Sequence, residues 1–301
     1  MQQILTEIRQ HLPVDNQARR LFHGRGRCFP GYQDLLIDSY GELIWITLFA
    51  ARDDDWLHQL GAILVEEFPQ CRCIGVQRRD LPTAAPRALV GTLPQSPLAF
   101  EAGLSYQLRL THGQNIGFFI DMARGRALVR QSAQGKKVLN LFAYSCSFSV
   151  AALTGGATQV VNVDMNRSAL ELGRLNHQHN QLDLRCVFFL NVEIFRSFSR
   201  LRQLGPFDLI ICDPPHSQGK NFTAENHWPK LIDKIPSLLA PQGELIACLN
   251  APHLETSYLR DLVQTKIPSL QEQSCLAAGD DFPEADARRA LSIQHFSQVL
   301  L

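Results

Sequence analysis

From Lys137 to Asn250 short apolar stretches alternate with longer amphipathic ones, and this rhythm constrains the fold more than any other feature. It predicts strands at 137–142, 159–163, 185–190, 207–212 and 243–249, separated by helices at about 147–154, 167–180, 193–202 and 225–239. Strands that alternate with helices join a parallel sheet, with helices packed on both of its faces. The expected fold is therefore α/β and Rossmann-like. A further helix at 255–265 and two strands near 271–277 and 290–300 extend it, and the domain is expected to cover 113–301.

Residues 1–112 read as a smaller mixed α/β domain in front of it. Leu35–Asp38 and Leu43–Phe49 flank a Ser39-Tyr40-Gly41-Glu42 turn, which suggests a hairpin. Asp53 to Phe68 places Trp56, Leu57, Leu60, Ile63, Leu64 and Phe68 on one side of a helix. Short strands are expected near 73–78, 88–92, 98–101 and 105–111. Met1 to Leu12 fits an amphipathic helix with Ile4, Leu5, Ile8 and Leu12 inward, and it lacks the apolar centre of a signal peptide.

At 301 residues the chain can bury two cores, and no apolar run approaches the roughly 18 residues needed to span a bilayer. A cytoplasmic protein with no membrane partner is expected. The eight cysteines are scattered, and Cys71 and Cys73 have no second pair to complete a zinc site, so no metal is expected. Zero net charge argues against nucleic-acid binding by bulk electrostatics. Arg19, Arg20, Arg25 and Arg27, with Arg78, Arg79 and Arg87 further on, fit either a local RNA contact or a solvated face.

Candidate chemistry gathers where strands end, because open α/β sheets bind ligands at their carboxyl edge. The first loop, Phe142-Ala143-Tyr144-Ser145-Cys146-Ser147, has no glycine to let a pyrophosphate approach the backbone. A nicotinamide dinucleotide is thereby disfavoured, and no Gly-x-x-x-x-Gly-Lys-Ser/Thr loop occurs anywhere. S-adenosylmethionine has no phosphate and suits such a loop. Asn140, Phe142, Tyr144 and Ser145 would surround its amino-acid end and sulfonium, and Asp164 would accept its ribose hydroxyls, with Met165 beside it. Asp164 could equally cap the helix that follows. Asn191 and Glu193 are candidates for the adenine amino group or for a helix cap.

Asp213-Pro214-Pro215 is the strongest single motif. Two prolines stiffen the backbone past the strand, so Asp213 can hold a flat acceptor with its nitrogen aimed at a methyl group. Positioning of this kind is most of what a protein can add to an in-line displacement. Asp213, Pro214 and Pro215 are the expected catalytic group, Asp213 also bordering the cofactor, and His216 is placed to stack on the target.

With these motifs the chain resembles the S-adenosylmethionine-dependent methyltransferases that modify large-subunit (23S) ribosomal RNA in bacteria. The resemblance runs from about Arg20 to the C-terminus, through Arg20-Leu21-Phe22-His23-Gly24, Pro30-Gly31 and Leu36 to Gly41. It continues through Gly117-Phe118-Phe119-Ile120-Asp121 with Arg126, then Asn140 to Tyr144, Gly155-Gly156-Ala157, Val163-Asp164-Met165 and Asp213-Pro214-Pro215. It implies a class I methyltransferase domain, S-adenosyl-L-methionine as cofactor, an RNA base as acceptor, and Phe119, Asp121 and Arg126 among the cofactor-binding residues. The family's loop glycine is Cys146 here, and the first arginine of its Asp-x-Arg signature is Ala123.

Which atom is methylated divides the family. The cytosine-C5 branch carries a nucleophilic cysteine that aligns with Asn250, while Cys248 sits two residues earlier inside the strand. Cytosine C5 is inert until a thiolate adds to the ring, so Asn250 and Asp280-Asp281-Phe282 bring the chain closer to the guanine-N7 branch. Asn250 would then face the substrate. Alternatives at this point are cytosine-C5 methylation, methylation of a protein or small molecule, and non-catalytic RNA binding on the same fold. The oligomeric state is open, a homodimer included.

Overall fold

The computed structural model describes residues 1–12, 15–81, 83–110, 115–215, 217–218 and 222–298. It divides into two compact units, Met1–Asp121 with Gly279–Ala285, and Met122–Ala278 with Asp286–Leu301.

In the first unit a helix α1 (Gln2–Gln10) precedes strands β1 (Arg19–His23), β2 (Leu35–Tyr40) and β3 (Leu43–Leu48). Helix α2 (Asp54–Glu67) then leads to β4 (Cys73–Arg78) and β5 (Arg87–Val90), and β6 (Leu98–Glu101) pairs with β7 (Leu104–Gln107). The sheet runs β1-β2-β3-β4-β5, and only the β3–β4 pair, joined through α2, is parallel. A crossover helix is what a parallel pair requires. Asp53 caps α2 by accepting from Asp55 N at 2.8 Å. Ile4 and Ile8 of α1 and Leu57, Leu60 and Leu64 of α2 bury their side chains with Leu21, Ile37, Ile46 and Ile74 of the sheet.

Gly279–Ala285 belongs to this unit through specific bonds. Asp281 takes a two-pronged contact from Arg19 at 2.8 and 3.1 Å, Glu284 meets His23 at 3.3 Å, and Ala285 N donates to Gly26 O at 2.8 Å. Phe282 lies under the Arg20 guanidinium, 5.0 Å from its ring centre. The arginine cluster is largely spent on such contacts, with Arg20 bonded to Asp38, Arg78 to Asp80 and Arg87 to Asp54. Arg25 instead lies over Phe49 at 4.3 Å.

The second unit starts with α3 (Ala123–Ser132) and then alternates β8 (Lys137–Leu141), α4 (Ser147–Thr154), β9 (Gln159–Asp164), α5 (Arg167–His179), β10 (Val187–Asn191), α6 (Phe198–Leu204) and β11 (Phe207–Cys212). The short pair β12 (Ser217–Gln218) and β13 (Phe222–Thr223) leads to α7 (Ala224–Ile232), β14 (Leu239–Leu249), α8 (Ser257–Lys266), β15 (Leu270–Ala277) and β16 (Ser292–Gln298). Its sheet has the order β10-β9-β8-β11-β14-β16-β15, with β10 to β14 parallel and β16 antiparallel to both neighbours. Order reverses between β8 and β11, the switch point where such sheets open a crevice. The two faces are closed by separate cores, one around Leu139, Leu141, Ile210 and Trp228 and the other around Val138, Val160, Ile211 and Ile246.

The α/β pattern expected from the sequence is therefore present, with local differences. Helix α6 starts at Phe198 rather than 193, because Glu193 turns its carboxylate onto Phe195 N (3.0 Å) and Arg196 N (2.9 Å). Helix α3 and strand β1 were not expected, since each carries a buried arginine, Arg126 and Arg20, that breaks the apolar pattern. Among the described residues no helix is long and apolar enough to cross a membrane, and no group of three or more acidic, His or Cys side chains could hold a metal.

Candidate functional site

Strand register places the site. Leu141 pairs with Val163 and with Cys212, Asp164 with Asn191, and Cys212 with Ala247. Phe142, Asp164, Asn191, Asp213 and the residues after Leu249 therefore emerge along one carboxyl edge. Asp213 N lies 3.5 Å from Leu141 O, which ties the end of β11 to the start of the first loop. Pro214 is buried and Pro215 exposed, so one proline packs while the other faces solvent. Asn250 is exposed just past β14.

The first loop folds without glycine by placing three ordinary residues in the left-handed region, Phe142 (φ 59°), Tyr144 (φ 46°) and Cys146 (φ 58°). Each such residue costs about 1–2 kcal/mol, so neighbouring structure must hold them there. Ala143 N donates to Val163 O at 3.0 Å, Cys146 N to Ala143 O at 2.7 Å, and Tyr144 N to Asp164 Oδ2 at 2.8 Å. Asp164 Oδ1 accepts from Asn166 N at 2.7 Å, and Asn166 rather than Asp164 caps α5, accepting from Ala169 N. Burial pushes the Asp164 carboxyl above its usual range despite these two N–H donors. Each of its oxygens keeps a lone pair for a further donor.

Behind the loop runs a buried polar chain. Asn140 Nδ2 donates to Asn162 Oδ1 (2.9 Å), Asn162 Nδ2 to Ser149 Oγ (3.0 Å), and Ser149 Oγ meets His177 Nε2 (2.8 Å). His177 Nδ1 lies 2.7 Å from Gly173 O, so this nitrogen carries the proton and Nε2 accepts. Burial lowers the imidazole pKa to about 4. Asn140 is 1% exposed, and its Oδ1 has no hydrogen-bond partner among the described residues.

Among the remaining expected residues, Met165 is exposed, and Asn191 Nδ2 donates to Asp164 O at 3.2 Å. Glu193 caps the turn before α6, and Arg126 is 2% exposed on α3. Phe119 and Asp121 close the first unit. His216 lies outside the described residues.

Sequence reading missed an aromatic group beside the loop. Phe142 meets Phe222 edge-on at 5.2 Å, Phe222 stacks on His227 at 5.4 Å, and His227 meets Phe195 at 5.3 Å. These rings come from three separate stretches, and only Phe222 and His227 are close in the sequence. Glu225 and His253, also missed, join the start of α7 to the loop after β14 at 2.6 Å. No cysteine is exposed here, since Cys146, Cys212 and Cys248 are each 0% exposed. Burial raises the Cys146 and Cys212 thiols above their ordinary pKa.

A seven-stranded sheet of this order, with a carboxylate after the second parallel strand and an acidic turn after the fourth, defines the class I methyltransferase fold. The family described as S-adenosylmethionine-dependent methyltransferase matches residues 19–297, and the chain belongs to it. It is 30% identical over 203 residues to "Ribosomal RNA large subunit methyltransferase I" of Escherichia coli O127:H6, covering 65% of this chain and 50% of that protein. The protein of the same name from Serratia proteamaculans is 32% identical over the same shares. The chain thus spans about half the length of these curated relatives. Among solved structures, SMU.776 complexed with SAH matches with a TM-score of 0.86 at 23% identity, over 98% of this chain and 81% of that one, which shows the fold.

Proposed function

We propose that this chain transfers a methyl group from S-adenosylmethionine to a nitrogen of an RNA base, in 23S ribosomal RNA. The observation that carries the reading is the carboxyl edge itself: a glycine-free loop bonded to Asp164 next to the Asp213-Pro214-Pro215 segment, with no accessible thiol. The names of the curated relatives supply the RNA class, and the bacterial relatives agree with a cytoplasmic location.

The residues present fit the cofactor. Asn140 Oδ1 is a buried acceptor with no partner among the described residues, suited to an ammonium group. Asp164 keeps lone pairs for vicinal hydroxyls, and Asn191 lies on the neighbouring strand end toward the adenine side. Ser145, Tyr144, Phe142, Met165 and Glu193 would line the remaining walls, with Arg126 contributed from α3. Bound there, S-adenosylmethionine would supply an electrophilic methyl group on a sulfonium. Asp213 would accept from the edge of the base and fix its plane, Pro214 and Pro215 would keep that carboxylate from swinging, and Asn250 and His216 would contact the acceptor. An acceptor ring nitrogen without hydrogen, held in that plane, would have no proton to shed and so would need no general base.

A nitrogen acceptor is favoured over cytosine C5 by the position of Cys248, packed with Val138, Ile246 and Ile293 inside the sheet. A thiolate there cannot reach a base. Tritiated S-adenosylmethionine with rRNA from a deletion strain, followed by mass spectrometry of the nucleosides, tests the reading. A new methylated purine is expected; 5-methylcytosine, or no transfer to RNA, would overturn it.

A further inference from the structure

Two residues of α5 face the loop from behind and have no assigned role. Gly173 is the first. A Cβ there would lie 2.4 Å from Cys146 Sγ and 2.9 Å from Cys146 Cβ, closer than real Cβ atoms come, and 3.3 Å from Ser145 C, a tight contact. Asn176 is the second; wholly buried, it donates from Nδ2 to Ser145 O at 2.9 Å. The Cys146 side chain fills the place that Gly173 leaves and packs with Ala143 and Leu170.

We infer that Gly173 and Asn176 are positioning residues that set cofactor affinity by holding the first loop in its left-handed conformation. The inference rests on the proposed role of that loop and extends it to residues outside the crevice. Its logic is a volume exchange. Cys146 has φ 58°, a conformation that L-residues rarely adopt. Gly173 on the helix has no Cβ, which leaves room for the thiol against α5. The loop's two other left-handed residues, Phe142 and Tyr144, lie upstream of that anchor. Asn176 holds the carbonyl of the intervening Ser145, so the anchor has a packed contact and a directional one. Neither residue touches the crevice; both act through Ser145 and Cys146.

The test titrates the purified full chain with S-adenosylhomocysteine and, separately, with adenosine, which lacks the amino-acid end that the loop would hold. Gly173→Ala should weaken S-adenosylhomocysteine binding by about tenfold or more. Adenosine affinity should change by less than about threefold. Adding Cys146→Gly to Gly173→Ala should restore most of the loss, because it removes both atoms that the new Cβ meets; Cys146→Ala should not, since its Cβ stays at 2.9 Å. Asn176→Ala provides an independent check if Gly173→Ala does not fold, with about a fivefold loss for S-adenosylhomocysteine alone. Equal losses for both ligands, full affinity in the folded single variants, or no rescue by Cys146→Gly would overturn the inference. Absence of S-adenosylhomocysteine binding by the wild type would instead sink the functional reading beneath it.

Discussion

Along β8 and β9 the carboxyl edge is fixed by buried polar contacts, whereas along β11 and β14 it is fixed by proline stiffness and by exposed side chains. On the first side Asp164, Asn162, Ser149, His177 and Asn176 bond to one another or to the loop, mostly out of water. On the second side Asp213 follows a strand that is apolar apart from Asp208, Pro215 and Asn250 are exposed, and Glu225 pairs with His253 in solvent. Buried polar networks hold one geometry because each unmade bond carries the full desolvation penalty. An exposed pair contributes little to stability and leaves room for a partner. The contrast matches the proposed division of labour: a small ligand gripped on one side, a large one admitted on the other.

That contrast can be broken at several points. The largest expected effect is on turnover. Asp213→Ala should reduce methyl transfer by about a thousandfold, ~4 kcal/mol, with S-adenosylhomocysteine affinity changed by less than about threefold. Single-turnover kinetics and calorimetry together check the split. If affinity falls equally, the two sides are not separate.

The next effect is on pH. His177 remains neutral in the fold down to about pH 4, while an exposed imidazole takes up a proton near 6.5. Between those values the unfolded chain binds more protons, so stability should fall as pH drops through this window, by on the order of 3 kcal/mol. Denaturant melts at stepped pH would show it, and His177→Gln should flatten the profile there. The raised Asp164 pKa acts in the opposite direction, since its folded form takes up a proton first as pH falls.

Asp164→Ala removes the acceptor for Tyr144 N and, in the proposed reading, the one for the ribose. It should weaken S-adenosylhomocysteine binding by roughly thirtyfold or more, ~2 kcal/mol. Calorimetry measures it, and Asp164→Asn should lose less. Smallest of all, Cys248→Ala should leave turnover within about twofold and cost ~1 kcal/mol of stability from lost packing. Loss of all transfer with cofactor binding intact would return cytosine C5 as the target atom.

Much of the second unit was legible because its strands are short, apolar and regularly spaced, and because parallel strands must share one carboxyl edge. That geometry alone brings Phe142, Asp164, Asn191 and Asp213 together. What remained hidden depends on three-dimensional neighbours. Gly173 looks like an ordinary weak point of a helix until Cys146 is seen against it. Glu193 offered a cap and an adenine contact on equal terms in the sequence, and only its bonds to Phe195 N and Arg196 N reveal the cap. Arg20 and Arg126 masked a strand and a helix because their charges are buried, and periodicity counts a buried charge as surface.

Gly279–Ala285 carries a consequence for synthesis. Arg19 and its carboxylate partner Asp281 are 262 residues apart in the chain, yet they meet inside the amino-terminal unit. At about 5–20 residues per second, translation leaves Arg19 without that carboxylate for roughly 13–50 s. The unit that leaves the ribosome first is thus completed last, and chains lacking that late segment should be cut by proteases faster than the full chain.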